Sequence, residues 1–215
     1  MTKVSIVCPI YNMTNAKEFL KRNLDSILLQ SFKDYEIVIS DDSSDDMLDI
    51  WIRQHHYPVK YFKNKVHGMA GNTNNAIEKA NGNLIKILYQ DDYFYHEDSL
   101  QEIVKAFIPG TKWLVTACIH SNGTELFNEH QPFYSKTENT IGSPSVLTFK
   151  NSVTIRFDPK LFWVLDLDFY RKCFQYYGLP KILNKVNVVI GIGEHQSTFL
   201  LSDRSKAIEE ALMKC

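Results

Sequence analysis

Ile87-Leu88-Tyr89-Gln90-Asp91-Asp92-Tyr93-Phe94 is the stretch on which the reading of this chain turns. Leu84 to Tyr89 is an apolar run of the length of one buried strand. It stops at two adjacent carboxylates. Asp is a poor strand former, and two of them are expected to face solvent rather than pack into a core. In open α/β sheets, ligands bind in the crevice beyond the carboxyl ends of the strands. Paired carboxylates there offer hard oxygen donors suited to Mg²⁺ or Mn²⁺, and a cation so held could clamp a diphosphate. By itself the pair equally suits a solvated turn, so its weight depends on the surrounding chain.

Upstream, strands and helices alternate. Val4 to Cys8 reads as a first strand stopped by Pro9. Asn15-Ala16-Lys17-Glu18 reads as a capping box, followed by Phe19, Leu20, Leu24, Ile27 and Leu28 at helical spacing. Glu36 to Ser40 is a second short strand, and it too runs into carboxylates, Asp41-Asp42. A helix through Leu48, Trp51 and Ile52 follows, then Pro58 and a third strand, Val59 to Phe62. Glycines open the next helical segment at Gly68 and Gly71, and Asn81-Gly82 reads as its C-cap. The first 92 residues are therefore β-α-β-α-β-α-β, which implies a parallel sheet with right-handed crossovers. In such a sheet the two Asp-Asp pairs share one edge.

Downstream, Ser99 to Phe107 reads as a helix and Trp113 to Ile119 as a strand. His120 to Pro144 turns polar and reads as a long functional loop. Val146–Phe149 and Val153–Phe157 read as antiparallel strands, Asp158-Pro159 as a turn, and Asp166 to Tyr177 as a helix with Phe169, Tyr170, Cys173 and Phe174 inward. Val186 to Ile190 is a late strand, and Ser202 to Met213 a terminal helix that carries no stop signal, as in a domain that continues.

The 215 residues suit one domain with a sizeable core. A net charge of −1 gives no electrostatic case for nucleic acid. No apolar run approaches a membrane span, and MTKVSIVCPIYN reads as a strand rather than a signal peptide. Cys8, Cys118, Cys173 and Cys215 are scattered, without zinc-ligand spacing, so a reducing cytoplasmic setting is expected. Gly191-Ile192-Gly193 lacks the third glycine of a dinucleotide fingerprint, and no P-loop motif is present.

Four segments, in order, resemble the family 2 inverting glycosyltransferases of GT-A fold. They are Val7-Cys8-Pro9-Ile10-Tyr11-Asn12; Asp41-Asp42-Ser43-Ser44; Gly68 through Asp92; and Phe157-Asp158-Pro159-Lys160-Leu161 with Leu165-Asp166. Each is weak alone, but together they cover most of residues 3 to 175. The resemblance implies a Rossmann-like, mostly parallel sheet flanked by helices, with a small antiparallel acceptor-side portion. It implies a single domain at 1–215, on its own or within a longer protein, with a nucleotide-sugar half at 1–95 and an acceptor half at 96–215. It implies a metal-dependent transferase moving a hexose or deoxyhexose from a UDP- or dTDP-sugar to a hydroxyl of a glycan, glycoprotein or lipid. By the same resemblance, Pro9, Tyr11 and Asp41 line the base and ribose pocket, with Asn12, Gly68, Thr73, Asn74 and Asp91 also against the nucleotide. An acidic group at Asp41 can accept from a uracil or thymine N3–H. Asp91 and Asp92 would hold Mn²⁺ or Mg²⁺, with His195 as a further ligand. Asp166 would be the base, kept ionised by its helix N-terminus, with Asp168 the rival.

The departures from the pattern are specific. Tyr89 stands where the metal motif often begins with Asp, Thr73 replaces an Arg, Ser43 a Gly, and Leu165 a Glu. Two alternatives therefore stay open. One is a sugar-phosphate nucleotidyltransferase, whose glycine-rich basic loop is missing after the first strand. The other is a catalytically inactive carbohydrate- or nucleotide-binding domain.

Overall fold

A computed structural model describes residues 3–194, 196 and 201–212. Its first half is a parallel α/β unit. β1 (Val4–Ile10) is buried along its whole length, as a strand covered on both faces must be. α1 (Ala16–Leu28) places Leu20, Leu24 and Ile27 against the sheet. β2 (Tyr35–Asp41), α2 (Met47–Gln54), β3 (Val59–Lys63), α3 (Met69–Glu78) and β4 (Leu84–Ile87) follow. β1 pairs in parallel with β2 and β4, and β2 with β3, giving the order β3-β2-β1-β4. The strand order reverses beside β1, which puts the crevice at the carboxyl ends of β1, β2 and β4. Edge strand β3 exposes Lys60 and Lys63, which discourages pairing with another sheet.

The second half is mixed. β5 (Tyr93–Phe94), α4 (Ser99–Ala106), β6 (Trp113–Ser121), β7 (Leu126–His130), β8 (Leu147–Lys150), α5 (Leu165–Tyr177), β9 (Lys181–Gly191) and α6 (Asp203–Leu212) complete the described chain. β8 lies antiparallel between β4 and β6, β6 and β9 run parallel, and β5 lies antiparallel to β9. One nine-stranded sheet therefore spans both halves. α5 packs on it through a stack of rings, Phe157 on Phe169 at 4.4 Å and Trp113 near Tyr170 at 6.2 Å. The expected α/β architecture, mostly parallel and with a smaller antiparallel portion in the second half, is present.

Several local expectations are overturned. β1 continues through Pro9. Val7 O accepts from Leu88 N and Ile10 O from Asp42 N, so alternate residues face opposite neighbours. Pro9 then faces the β4 side, where the ladder has already ended at Val7–Ile87, and its missing N–H costs nothing. No capping box forms at α1: Asn15 is left-handed, with φ 63°, and makes no side-chain cap bond. Gly82 is not a left-handed C-cap but a close-approach residue, since a Cβ there would lie 2.6 Å from Ser5 N. The polar stretch after β6 is not one open loop, because β7 pairs back onto β6. Val153–Phe157 is not a strand. Its end is fastened instead by Asn74, whose amide bonds both Phe157 O and Phe157 N, at 2.8 and 3.0 Å.

Candidate active site

The two Asp-Asp pairs sit at one edge because β2 and β4 both run parallel to β1. The turn after β4 is held from α1. Asn23, fully buried, donates to Tyr89 O and Asp92 O, each at 2.8 Å. Arg22 donates to Asp91 O at 2.9 Å and lies 4.6 Å over the Tyr93 ring. Gln90 accepts from Tyr11 N at 2.6 Å, tying this turn to the end of β1. The end of β9 presses on the same turn, and a Cβ at Gly191 would lie 2.6 Å from Asp91 O.

The carboxylates do not both face solvent, as the sequence suggested. Asp91 is half-buried, whereas Asp92 is 2% exposed. Asp92 Oδ1 accepts from Gly191 N at 2.8 Å, and Oδ2 lies 3.4 Å from the Ser143 hydroxyl. Burial, and then the charge of Asp91, push the Asp92 carboxyl well above the usual range. Asp92 turns inward because protein donors meet it there.

Asp166 stands in the first turn of α5. Oδ1 accepts from Leu167 N at 2.7 Å and Oδ2 from Asn139 Nδ2 at 2.6 Å. Both bonds favour the charged form, yet burial outweighs them and pushes the carboxyl up to about 7. The helix N-terminus therefore does not hold it fully ionised, contrary to the sequence expectation. Asp168 instead pairs with Lys172 one turn on, at 2.5 Å. A cavity of about 200 Å³ is lined by Asp91, Asp92, Tyr89, Trp163 and Asp166 together. The carboxylates from the two halves of the chain thus face one space.

The nucleotide-side residues gather less uniformly. Pro9 is buried within β1, and Tyr11 beyond it is 54% exposed. Asn12 donates from its backbone to Ser43 Oγ and from its side chain to Asp45, both at 2.8 Å. Asp41 is fully buried, taking Ser43 N at 2.8 Å and the Tyr61 hydroxyl at 2.5 Å, so both its oxygens are engaged within the protein. Its neighbour Asp42 accepts from Gly68 N at 2.9 Å, where a φ of +104° favours glycine. Thr73 is buried in α3, donating to Met69 O at 2.8 Å and lying 3.4 Å from the Tyr89 hydroxyl. Thr73 and Asn74 are thus committed to internal contacts. His195 lies outside the described residues.

Four residues that sequence reasoning passed over shape the site. Asn23 had a signal, an amide among the core positions of an amphipathic helix. Lys86 also had one, a cation in an apolar strand. Its ammonium is buried under the site, donating to Ile87 O at 2.9 Å and to Ser145 O, and burial lowers it to about 7. Asn139 and Ser143 had none, since they lie in a polar loop whose path only the fold reveals.

Among the described residues, no group of three His, Cys, Asp or Glu side chains could enclose a metal. Asp91 and Asp92 supply two hard-oxygen residues on one cavity wall. That suits Mg²⁺ or Mn²⁺ bound by one or two carboxylates and completed by phosphate oxygens and water.

This parallel half, with carboxylates at its switch point and a further carboxylate across the cavity, is the layout of a GT-A transferase. The chain belongs to glycosyl transferase family 2, whose family model matches residues 5–174. Relatives include an uncharacterized glycosyltransferase of Rickettsia felis, 32% identical over 140 residues, which cover 62% of this chain and 22% of that protein. Another is the GalNAc(5)-diNAcBac-PP-undecaprenol beta-1,3-glucosyltransferase of Campylobacter jejuni, 36% identical over 97 residues, 43% of this chain and 30% of that protein. The chain matches less than a third of the length of either relative. Among solved structures, residues 1–349 of Staphylococcus aureus TarS with UDP-GlcNAc superpose with a TM-score of 0.74 at 21% identity, covering 98% of this chain and 65% of that one. No described helix is long and apolar enough to cross a membrane.

Proposed function

We propose that this chain transfers a hexose or deoxyhexose from a UDP- or dTDP-sugar to a hydroxyl of a glycan, glycoprotein or lipid-linked acceptor, inverting the anomeric carbon. The observation that carries the reading is the shared cavity, with Asp91 and Asp92 on one wall and Asp166 on another. Residues 1–95 would bind the donor and 96–215 the acceptor, as a single domain on its own or within a longer protein. The name of the Campylobacter jejuni relative fits a diphospholipid-linked acceptor, and the UDP-GlcNAc bound to TarS fits a sugar-nucleotide donor.

A divalent cation bound at Asp91 and Asp92 would neutralise the diphosphate as it departs. The chain's own residues do the rest. Tyr11, exposed beyond the end of β1, presents an open ring for the base, while Asp41, buried with both oxygens engaged, acts only by fixing the end of β2. Asp166 takes the proton of the acceptor hydroxyl as that oxygen bonds to the anomeric carbon. The bond from that carbon to the diphosphate oxygen breaks, and its electron pair leaves with the diphosphate. The carbon passes through an oxocarbenium-like state, attacked on the face opposite the leaving group. A base near neutral pKa suits this step, and the Asp166 carboxylate has more lone-pair sites than N–H donors on it. Asp168, tied to Lys172, is the poorer base.

A melting screen tests the donor. A ligand at a hundredfold excess over Kd stabilises by about 2.7 kcal/mol, which raises Tm by roughly 5–10 °C in a chain of this size. UDP or dTDP with Mn²⁺ should give that rise, and GDP or ADP should not. A larger shift with GDP overturns the donor assignment. Failure to release UDP from any UDP-sugar that binds would favour an inactive binding domain.

A further inference from the structure

The segment 139–145 touches the carboxylates on both walls of the cavity. At one end, Asn139 Nδ2 donates to Asp166 Oδ2 at 2.6 Å. Next, Gly142 O accepts from the Tyr170 hydroxyl at 3.1 Å, which fixes the segment to α5. The Ser143 hydroxyl lies 3.4 Å from Asp92 Oδ2. At the other end, Ser145 Oγ accepts from Tyr89 N at 2.9 Å, and Ser145 O accepts from the buried ammonium of Lys86. One short stretch therefore spans from α5 to the turn after β4.

The hydrogen bonds of the Asn139 amide settle which end of it faces Asp166. Its Oδ1 accepts from Gly142 N at 2.9 Å and Ile141 N at 3.2 Å. Two backbone donors require an acceptor there, so the Nδ2 must point at Asp166. On the other side, Leu167 N holds Oδ1 of Asp166. The carboxyl plane is thus fixed by one donor from its own helix and one from the segment.

We propose that Asn139 is the positioning residue for Asp166, and that segment 139–145 sets this carboxylate in register with the turn carrying Asp91 and Asp92. The inference rests on the reading of Asp166 as the base. Asn139 need not touch substrate. It fixes the aim of the carboxylate and, by donating to its charged form, favours ionisation. The ionisable groups facing Asp166 are Tyr89 from the β4 turn, Tyr170 from α5, and Asp91 and Asp92 across the cavity; burial and nearby carboxylates raise both phenols, so they stay uncharged at neutral pH. Backbone N–H groups of its own helix turn donate to it, and Asn139 adds a side-chain donor from outside that helix.

Oδ1 of Asn139 holds the segment, while Nδ2 serves Asp166 at 2.6 Å and Gly142 O at a longer 3.3 Å, so one substitution acts mainly on the bond to Asp166. Asn139→Asp keeps an oxygen for Ile141 N and Gly142 N but sets a second carboxylate against Asp166. Like-charge pairing raises the pKa of a carboxyl. The acid limb of kcat/KM for UDP release from a UDP-sugar, with Mn²⁺, should move up by about one to two pH units. One unit is tenfold at fixed pH on the limb, so activity should fall at least tenfold at pH 6 and recover in alkali. UDP affinity should be unchanged. Asn139→Ala, a second variant in case the first folds poorly, should also raise the limb, by less, and lower kcat. Wild-type kcat and pH profiles in both variants, with Asp166→Asn inactive, would overturn the inference while leaving the base reading intact. A fully active Asp166→Asn would overturn both.

Discussion

Asp166→Asn removes the proton acceptor while preserving the shape of the side chain. General bases typically contribute about 10²–10⁴-fold, so kcat should fall by that factor with donor affinity little changed. In the wild type the carboxyl sits at about 7. The group must be ionised to act, so kcat/KM should be half-maximal near pH 7 and fall about tenfold per unit below it. The Asn variant should show a low, flat profile through this range. Stability provides the control. A carboxyl whose folded pKa lies above its unfolded value of about 3.9 binds protons more tightly when folded. Its favourable share is fully present below pH 4 and is lost as pH rises through 7. Asn relieves that penalty at pH 8, by no more than about 1–2 kcal/mol because the cavity is open to solvent. Against this, the new amide cannot satisfy both Leu167 N and Asn139 Nδ2 with oxygen, which costs about 1 kcal/mol. The melting temperature should therefore move by only a few degrees, and circular dichroism melts at pH 8 check that the fold survives. Initial rates of UDP release from pH 5 to 9 decide the rest. Retained activity in Asp166→Asn, or a wild-type acid limb near pH 4, would refute the reasoning.

Asp91→Asn should abolish most of the Mn²⁺-dependent part of UDP affinity with little change in stability, because this half-buried side chain faces the cavity; titration calorimetry with and without Mn²⁺ shows whether it does, and unchanged metal dependence would make the pair simple turn residues. Gly191→Ala would place a Cβ 2.6 Å from Asp91 O, so the turn must shift; overpacking of this kind costs about 1–3 kcal/mol, and urea melts should show that loss together with reduced UDP binding.

Much of the fold was legible because the signals were local. Apolar runs of strand length, separated by helical periodicity, gave every element from β1 to β4, though not the short β5, and β-α alternation then leaves few topologies open. The second half was harder. Val153–Phe157 has strand composition, but the β8 strand on the neighbouring edge is already occupied by β4 and β6, so the segment is pinned by Asn74 instead. Pro9 was read as a stop because its lost N–H usually matters; only the register shows that the neighbouring ladder had already ended.

For the site, the sequence alone determined the residue types at strand ends, Asp41, Asp91 and Asp92, and the carboxylate opening α5, Asp166. It could do so because chemistry at the carboxyl end of a strand follows from where the strand stops. Only the tertiary structure decided their states. Asp92 turns inward to Gly191 N, Asp41 is closed off by Tyr61 and Ser43, and Asp166 rises toward neutrality although two N–H groups hold it. Burial depends on residues a hundred positions away, and so do the partners that fix each carboxylate. Segment 139–145 reads as polar loop in the sequence. It becomes a link between the two cavity walls only when the sheet brings α5 and the β4 turn within reach of its side chains.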